Sequence, residues 1–298
     1  MGGLSNKQIR GALRGDRDQR SRDLRTPRVP QFLVWGRGQL LEVGGSCTYA
    51  TMADTNKSIA AYDDLARVAS YDADMDIMHP NRLRMVEVIV EVLAAGVPAP
   101  SLVLDLGTGT GFLLRRLLAR FSNARAVAVD GALPMLELAR ARLGALAERV
   151  DFRVGDLCEL ACICAGVPAL DAVVSSFALH HLAPEAKSAL AETAFALLGP
   201  GGWFLSADLI LAEDDFVEEL TQQLRARGIA RRAAGRDARF LDEAGTRSFL
   251  RRLEENEGDQ PQRLAKDLAA LEQAGFEHVA VFWRDTREVV IGGVKPRG

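Results

Sequence analysis

The sequence has no long apolar run, few cysteines and no marked excess of basic charge. A membrane span needs about 20 consecutive apolar residues, whereas the longest apolar stretches, Leu102–Leu106 and Asp171–Leu182, are short and carry polar residues. No apolar segment follows the charged N-terminal stretch, so we expect no secretory signal and a cytoplasmic location. The formal net charge of −3 argues against non-specific binding to nucleic acid. We therefore expect no membrane partner, and nucleic acid is a disfavoured partner that the sequence leaves open.

The four cysteines do not form a familiar metal-binding pattern. Three of them, Cys158, Cys162 and Cys164, are spaced as C-x3-C-x-C, whereas zinc sites usually pair their ligands as C-x2-C. No histidine follows them at zinc-finger spacing. We therefore expect no metal site.

The chain of 298 residues is 48% hydrophobic, which is enough for a sizeable core. Residues 1–55 are rich in glycine and arginine without any period, which predicts a disordered extension. Met52 could serve as an alternative start, so the sequence leaves open whether residues 1–51 belong to the native protein. Residues 56–98 have a helical pattern and form a separate N-terminal segment.

Residues 99–211 alternate short apolar strands with amphipathic helices, a pattern typical of a parallel sheet with right-handed crossovers. The sequence pattern of residues 212–276 predicts a helical insertion. Two apolar strands follow it, and their hairpin-length link, Arg284–Arg287, indicates that they are antiparallel. The predicted strands are Leu102–Leu106, Ala126–Asp130, Asp151–Val154, Ala172–Ser176, Trp203–Asp208, His278–Trp283 and Glu288–Val294. The fold class is therefore α/β, with one sheet between two layers of helices.

The strongest motif is Val103–Phe112, V-L-D-L-G-T-G-T-G-F, in which a buried strand runs into a glycine-rich turn and then a helix. Glycines let such a turn pass tightly and bring its backbone close to a ligand, which the helix N–H groups then face. A dinucleotide site needs G-x-G-x-x-G. Here the third glycine, Gly111, comes one position early, and the acidic Asp105 stands just before the turn.

The motif resembles the first cofactor-binding motif of class I, Rossmann-like methyltransferases that use S-adenosylmethionine (SAM), an acidic residue followed by x-G-x-G-x-G. The resemblance implies that SAM is the cofactor, that S-adenosylhomocysteine (SAH) is its product, and that Asp105 and the turn bind it. The turn residues concerned are Gly107, Thr108, Gly109 and Gly111. The resemblance also implies a seven-stranded sheet with the last strand antiparallel, closed by Ala274–Arg284 and Val290–Pro296, and an N-terminal helical lid.

Further polar and apolar positions follow the later strands. Asp130 ends the second strand, where its carboxylate can accept both hydroxyls of a ribose. By resemblance, Met135 packs on the adenine, Asp156 receives the adenine amino group, and the backbone N–H of Leu157 meets a ring nitrogen. Ser176 begins the segment that lies beneath the sulfonium in the family. A core position for Met135 and a solvated loop position for Asp156 are the alternatives.

His180 and His181 are the candidate catalytic residues, because histidine titrates near neutrality and both follow the fourth strand. Methyl transfer relies mainly on positioning, and a base is needed only when the nucleophile must lose a proton. Adjacent side chains cannot both face the same point, so at most one of them is expected to act as a base. The alternative is that both pack against the following helix.

Substrate contacts should come from the lid and the insertion. The lid candidates are Tyr62, Tyr71, Asp72, His79, Arg82 and Arg84. The insertion carries an arginine cluster, composed of Arg225, Arg227, Arg231, Arg232, Arg236 and Arg239. The cluster could hold a carboxylate, a phosphate or an RNA backbone, or it could be a solvated surface.

Four functions remain open. We favour a methyltransferase with a small-molecule substrate; a modifier of a tRNA wobble base, or an enzyme that remodels SAM as carboxy-SAM synthases do, is the alternative. An NAD(P)-dependent oxidoreductase and a non-catalytic SAM-binding protein are disfavoured. The segment Ser175–Ala178 lacks the Asn/Asp-Pro-Pro-aromatic motif of enzymes that methylate amino groups of nucleic-acid bases. Whether the arginine cluster lies beside the cofactor site should separate the first two functions, and a homodimer is among the expectations for assembly.

Overall fold

The sheet of the computed structural model, which describes residues 31–36, 39–44 and 57–298, contains nine strands. In chain order these are β1 Gln31–Gly36, β2 Gln39–Gly44, β3 Leu102–Leu106, β4 Arg125–Asp130, β5 Val150–Val154, β6 Leu170–Ser176, β7 Leu198–Leu209, β8 Glu277–Asp285 and β9 Glu288–Val294. Across the sheet their order is β2-β1-β5-β4-β3-β6-β7-β9-β8.

The seven strands from β3 to β9 form the predicted sheet. Neighbours from β5 through β7 pair in parallel, and β9 is antiparallel to both β7 and β8. The prediction of a last antiparallel strand is therefore confirmed. Pairing between β8 and β9 extends to Asp285 and Glu288, so the link is only Thr286 and Arg287, shorter than the predicted Arg284–Arg287.

Two stretches of the N-terminal extension, which we expected to be disordered, form the strands β1 and β2. The strands pair antiparallel with each other, and β1 also pairs antiparallel with β5, through Leu33 and Val154 and through Val34 and Arg153. Both stretches are rich in apolar residues, Q-F-L-V-W-G and Q-L-L-E-V-G, and only two residues separate them, which is hairpin spacing. The remainder of residues 1–55 lies outside the described residues.

Helices cover both faces of the sheet. They are α1 Lys57–Ala61, α2 Leu65–Met78, α3 Arg82–Gly96, α4 Phe112–Arg120, α5 Leu133–Leu143, α6 Leu160–Ile163, α7 Pro184–Leu197, α8 Asp215–Ala233, α9 Glu243–Glu257 and α10 Leu264–Gln273. Aspartates fix several helix starts by accepting backbone N–H groups, as Asp64, Asp214 and Asp242 do for α2, α8 and α9. Within the described residues, no helix is long and apolar enough to cross a membrane.

The core has two layers, one on each face of the sheet. Successive strand residues point to opposite faces, so Val103 packs with α3 and α4 while its neighbour Leu104 packs on the side of α7. Both faces are buried, which explains why the parallel strands are apolar at nearly every position. A third cluster joins Met78 of the lid to Ile229 and Phe240 of the insertion. The lid (α1–α3) and the insertion (α8–α10) therefore share a core.

Asn81 stands directly before α3, but its side chain makes no capping hydrogen bond. Its amide instead donates to the carboxylates of Asp285 and Glu288, each at 3.0 Å. The link between α2 and α3 is thereby attached to the β8–β9 turn.

Candidate active site

The chain makes a tight turn between β3 and α4. The backbone N–H groups of Gly107 and Thr108 donate to the carbonyl of Val129, at 2.9 and 3.0 Å. Gly107 has a φ of 64°, and a Cβ at this position would lie 2.2 Å from the Cβ of Ala178. Position 107 therefore needs glycine both for its backbone conformation and for the close approach of the segment after β6.

Asp130, at the end of β4, braces this turn. Its Oδ2 accepts the backbone N–H of Gly109 at 2.8 Å, and its Oδ1 accepts that of Ala132 at 2.9 Å. Burial raises the pKa of Asp130, although these two backbone donors oppose the rise. Each carboxylate oxygen keeps a lone pair for a further donor.

A pocket opens beside the turn at the carboxyl ends of β3, β4 and β6, where open α/β sheets bind their ligands; it is hereafter the glycine-turn pocket. The predicted site residues that line it are Gly107, Gly109, Asp130, Met135, Leu157 and His181. The lid residues that close its other side are Ser58, Ile59, Tyr62 and Tyr71. Six predicted residues are thus brought together under the lid.

A side pocket flanks the same turn and shares Gly107 and Gly109 with the glycine-turn pocket. The predicted residues Asp105, Thr108 and Ser176 line it. Asp105 Oδ2 is buried and has no hydrogen-bond partner among the described residues. Burial raises the pKa of Asp105 to about 7, with Thr108 opposing the rise and Asp130 adding to it. A buried carboxylate without a partner suits a cationic group of a ligand.

A second cavity, hereafter the inner chamber, adjoins the glycine-turn pocket. Four side chains line both cavities: Tyr62, Tyr71, Phe177 and His181. The other walls of the chamber come from α2, α8, α9 and the residues after α9. Phe177 has a positive φ of 54°, and its ring lies 4.8 Å from that of His79. A strained backbone therefore stands in the wall between the two cavities, as is common at functional sites.

His180 is held by Asp208, at the end of β7. The Nδ1 of His180 lies 2.5 Å from Asp208 Oδ1, and Asp208 Oδ2 accepts the backbone N–H groups of Leu179 and His180. Burial lowers the pKa of His180, but the charge of Asp208 and the hydrogen bond outweigh it and leave the pKa above 6.5. The same pairing overcomes burial and lowers the pKa of Asp208. This pair anchors the segment after β6.

His181 faces Asp259, which follows α9. Its Nδ1 lies 2.9 Å from Asp259 Oδ1, and each side chain is only 11% exposed. The two atoms are within ion-pair distance but do not meet hydrogen-bond geometry, and neither has a hydrogen-bond partner in the described part of the chain. His180, His181 and Asp259 also place one ligand atom each within 4.8 Å of the others, so a metal ion could be held here. The contact between His181 and Asp259 brings two of these three ligand atoms together.

The lid is tied to the insertion by buried charges around Glu257. Arg67 of α2 donates to Glu257 at 2.8 and 3.0 Å, and the hydroxyl of Tyr62 donates to it at 3.1 Å. Arg67 and Arg239 also reach Asp74 of α2. The cations that approach the chamber from the lid are therefore neutralised by carboxylates.

Comparison with known proteins decides the family. A family model described as a methyltransferase domain matches residues 103–202. The malonyl-[acyl-carrier protein] O-methyltransferase of Geobacter sulfurreducens is 32% identical over 227 residues, which cover 72% of this chain and 70% of that protein. The chain belongs to the SAM-dependent methyltransferases. Its methyl donor is therefore SAM, as predicted from the glycine-rich motif.

Other known proteins resemble parts of this methyltransferase. The carboxy-S-adenosyl-L-methionine synthase of Campylobacter curvus is 30% identical over 43% of this chain and 53% of that protein. The methyltransferase spans about half the length of the first curated relatives it matches. An O-methyltransferase family protein from Burkholderia thailandensis superposes with a TM-score of 0.58 at 18% identity, over 80% of this chain and 62% of that one. The DhpI–SAH complex superposes with a TM-score of 0.53 at 20% identity, over 80% and 95%. These structures share its fold.

Two predicted site residues of the methyltransferase line none of the three cavities, namely the glycine-turn pocket, the side pocket and the inner chamber. A Cβ on Gly111 would lie 3.2 Å from the Cβ of Ala139, so this glycine lets α4 approach α5. Asp156 accepts the backbone N–H of Cys158 at 2.9 Å, which caps the short turn that follows β5. A contact of either residue with the cofactor stays a prediction.

The lid candidates Asp72 and Arg84 line none of these three cavities, whereas Arg82 lines the side pocket. Asp72 accepts Arg82 at 2.8 Å and the hydroxyl of Thr110 at 2.9 Å, so it fastens the lid to the glycine-rich turn. Arg84 is exposed and pairs with Glu91. Tyr62, Tyr71 and His79, in contrast, line the cavities.

Sequence reasoning missed Asp208, Asp259 and Phe177. Asp208 could have been noticed because it ends a strand, like Asp130. Asp259 follows a helix of the insertion, 78 residues after its partner His181 by their numbering, and no local pattern points to it. The positive φ of Phe177 leaves no signal in the residue type.

Proposed function

We propose that this methyltransferase transfers a methyl group from SAM to the hydroxyl oxygen of a small molecule held in the inner chamber. The observation that carries the proposal is the wall that the inner chamber shares with the glycine-turn pocket. A nucleophile in the chamber and a methyl group in the pocket would meet at this shared boundary, which Tyr62, Tyr71, Phe177 and His181 form. The O-methyltransferase named above supports an oxygen acceptor.

The residues around the glycine-rich turn fit SAM. Asp105, with its unpaired oxygen, would hold the ammonium group, and Asp130 would accept the ribose hydroxyls. Met135 and Leu157 would pack on the adenine. When bound, SAM supplies a methyl group on a sulfonium, which is already an electrophile. The protein therefore has to orient the acceptor, exclude water and remove one proton.

His181 is the proposed base, because it lines both cavities while the Nδ1 of His180 is held by Asp208. With Nδ1 oriented by Asp259, Nε2 is the atom that takes the hydroxyl proton. The acceptor oxygen forms its bond to carbon as the sulfur–carbon bond breaks, and the sulfur keeps the electron pair. The products are the methyl ether, SAH and a protonated His181.

The chamber supports a small acceptor over the alternatives. No arginine of the arginine cluster lines the glycine-turn pocket. Arg225 is the one member of the cluster that lines the inner chamber, and there it is paired with Glu254. Arg227 and Arg239 are likewise paired, with Glu243 and with Asp74. A SAM-remodelling or RNA-binding role would call for unpaired cations at the methyl group itself.

The test is turnover with and without His181. Hydroxyl-bearing small molecules are screened for acceptor-dependent release of SAH. His181→Gln is expected to lower kcat by about 10²–10⁴-fold while the Kd for SAH changes little, because a general base contributes on that scale. His278→Gln, at an exposed position on β8, is the control and should match wild type. Equal kcat for both variants, or no acceptor in the screen, would refute the proposal.

A further inference from the structure

An open groove lies on the outer side of the inner chamber. It has a volume of about 340 Å³. Its walls are the link between α2 and α3, one face of α8 and the β8–β9 turn. The groove is hereafter the outer groove.

The outer groove and the inner chamber share a wall. Met78, His79, Leu209 and Arg225 line both cavities. The chamber in turn borders the glycine-turn pocket, so the three cavities follow one another from the surface to the site of methyl transfer. An elongated acceptor could lie along this path with only its reacting end inside the chamber.

Arg231 and Arg232 line the outer groove without forming an ion pair with any carboxylate that the structure describes. Arg231 forms no ion pair or hydrogen bond with any residue that the structure describes, and it is exposed. The Nε of Arg232 donates to the carbonyl of Ile77 at 2.7 Å. Arg232 forms no ion pair with any carboxylate that the structure describes. Partial burial lowers the pKa of Arg232, and the positive charges of Arg231 and Arg225 lower that pKa further. The negative charge of Glu288 acts in the opposite direction.

The other charged groups of the groove already have partners. Glu288 is bound by His79 at 2.9 Å and by Asn81, which also binds Asp285. Arg287 is buried and paired with Glu218 at 3.3 Å. Arg225 is paired with Glu254. Arg231 and Arg232 are therefore the groove cations that no described carboxylate pairs with directly.

We propose that the acceptor is elongated and carries an anionic group, a phosphate or a carboxylate, at the end remote from its methylated oxygen. Arg231 and Arg232 bind this anion in the outer groove, where guanidinium groups offer paired donors to its oxygens. The inference rests on the proposed function, because it places the reacting hydroxyl in the inner chamber. It gives the arginine cluster a role at the far end of the substrate.

The test uses three chains of equal length that differ in one end group: 8-hydroxyoctanoate, 8-hydroxyoctyl phosphate and 1,8-octanediol. Each is titrated by calorimetry into the full chain saturated with SAH. We expect at least one anion to bind about tenfold or more tightly than the diol, which corresponds to one charge-assisted hydrogen bond. The tighter of the two anions identifies phosphate or carboxylate as the natural group.

The variant Arg231→Gln/Arg232→Gln should lose this preference for the anion. The matched control is Arg227→Gln, on the same helix but outside the groove. A preference that survives in the double variant, equal binding of diol and anions, or no binding of either anion to wild type would each overturn the inference. SAH binding in the same experiment reports on the cofactor site separately. Loss of SAH binding therefore refutes the proposed function, whereas its retention without an anion preference refutes this inference alone.

Discussion

At the scale of single residues, the site depends on acids that the fold removes from water. Asp105, Asp130 and Asp208 each lie within the last two residues of a strand, and each has a shifted pKa. Asp130 accepts hydrogen bonds from backbone N–H groups, and Asp208 is paired with His180. Asp105, in contrast, has one carboxylate oxygen without a hydrogen-bond partner among the described residues. The unpaired acid is where a cationic ligand would gain most.

Asp105 should make both stability and cofactor binding depend on pH. The pKa of Asp105 is about 7 in the folded protein, whereas its ordinary value is 3.8. Between these two pH values the folded protein keeps the carboxyl protonated, while the unfolded chain has released the proton. The free energy of unfolding contributed by this group therefore falls as pH rises from the lower to the upper value. The affinity for SAH should rise over the upper part of the same range, because the ionised carboxylate binds the ammonium group.

Asp105→Asn should abolish both trends. Urea unfolding and SAH titration at a series of pH values measure them. SAH affinity that stays independent of pH in wild type would contradict the proposed contact with the ammonium group.

The motifs in the sequence identified the residues of the glycine-rich turn and Asp130, because these lie within one strand and the turn after it. They could not identify Asp208 and Asp259 as partners of His180 and His181. Those contacts join residues 28 and 78 positions apart through the tertiary fold. The sequence likewise left His180 and His181 equivalent, and only the three-dimensional positions of their partners distinguish them.

At the scale of the elements, the β3–α4 turn depends on the absence of a side chain at Gly107. Gly107→Ala should lower the free energy of unfolding by roughly 2–4 kcal/mol and weaken SAH binding by at least about tenfold. The reasons are the positive φ and the Cβ that would lie 2.2 Å from Ala178. Urea unfolding and calorimetry measure the two effects.

Gly166→Ala is the matched control for the backbone. Gly166 also has a positive φ, of 76°, but a Cβ there would meet nothing within 4 Å. It should cost only about 1–2 kcal/mol, the penalty of the left-handed conformation, and leave SAH binding unchanged. If both variants behave alike, close packing at Gly107 is not what the turn requires.

The lid should loosen when Glu257 loses its charge. Glu257→Gln weakens the hydrogen bonds from Arg67 and Tyr62 that tie α1 and α2 to α9. We expect faster amide hydrogen exchange in α1 and α2 and dissociation of SAH about tenfold faster, because local opening becomes less costly. Exchange mass spectrometry and stopped-flow release measure these.

Glu243→Gln, on the same helix, breaks an exposed ion pair with Arg227 and serves as the control. Unchanged exchange in α1 and α2 of the Glu257 variant would show that the lid is held by its apolar contacts instead.

Element bounds were predictable where a local pattern defines them. β3 and β9 have the predicted limits, because apolar runs end at a glycine-rich turn or begin after a hairpin link. The strands β1 and β2 were missed because the surrounding glycines and arginines favoured disorder over pairing with β5. Asn81 precedes α3 without capping it, because the carboxylates of the distant β8–β9 turn bind its amide.

At the scale of the whole molecule, the lid and the insertion act on the sheet together. Their shared core and the charges around Glu257 place α2 and α9 on either side of the inner chamber. The chamber joins the glycine-turn pocket inside and the outer groove outside. The lid and the insertion thus line the proposed acceptor path, while the carboxyl ends of the strands line the proposed cofactor site.

The measurement that tests the central claim most directly is calorimetric titration of the full chain with SAH and with NADH, in wild type and in Asp130→Ala. We expect clear binding of SAH, a Kd raised at least about tenfold by the mutation because the ribose hydroxyls lose their acceptor, and no heat from NADH. A folded wild-type protein that binds NADH but not SAH, or an Asp130→Ala variant that binds SAH as tightly as wild type, would contradict the assignment of the glycine-turn pocket as the SAM site.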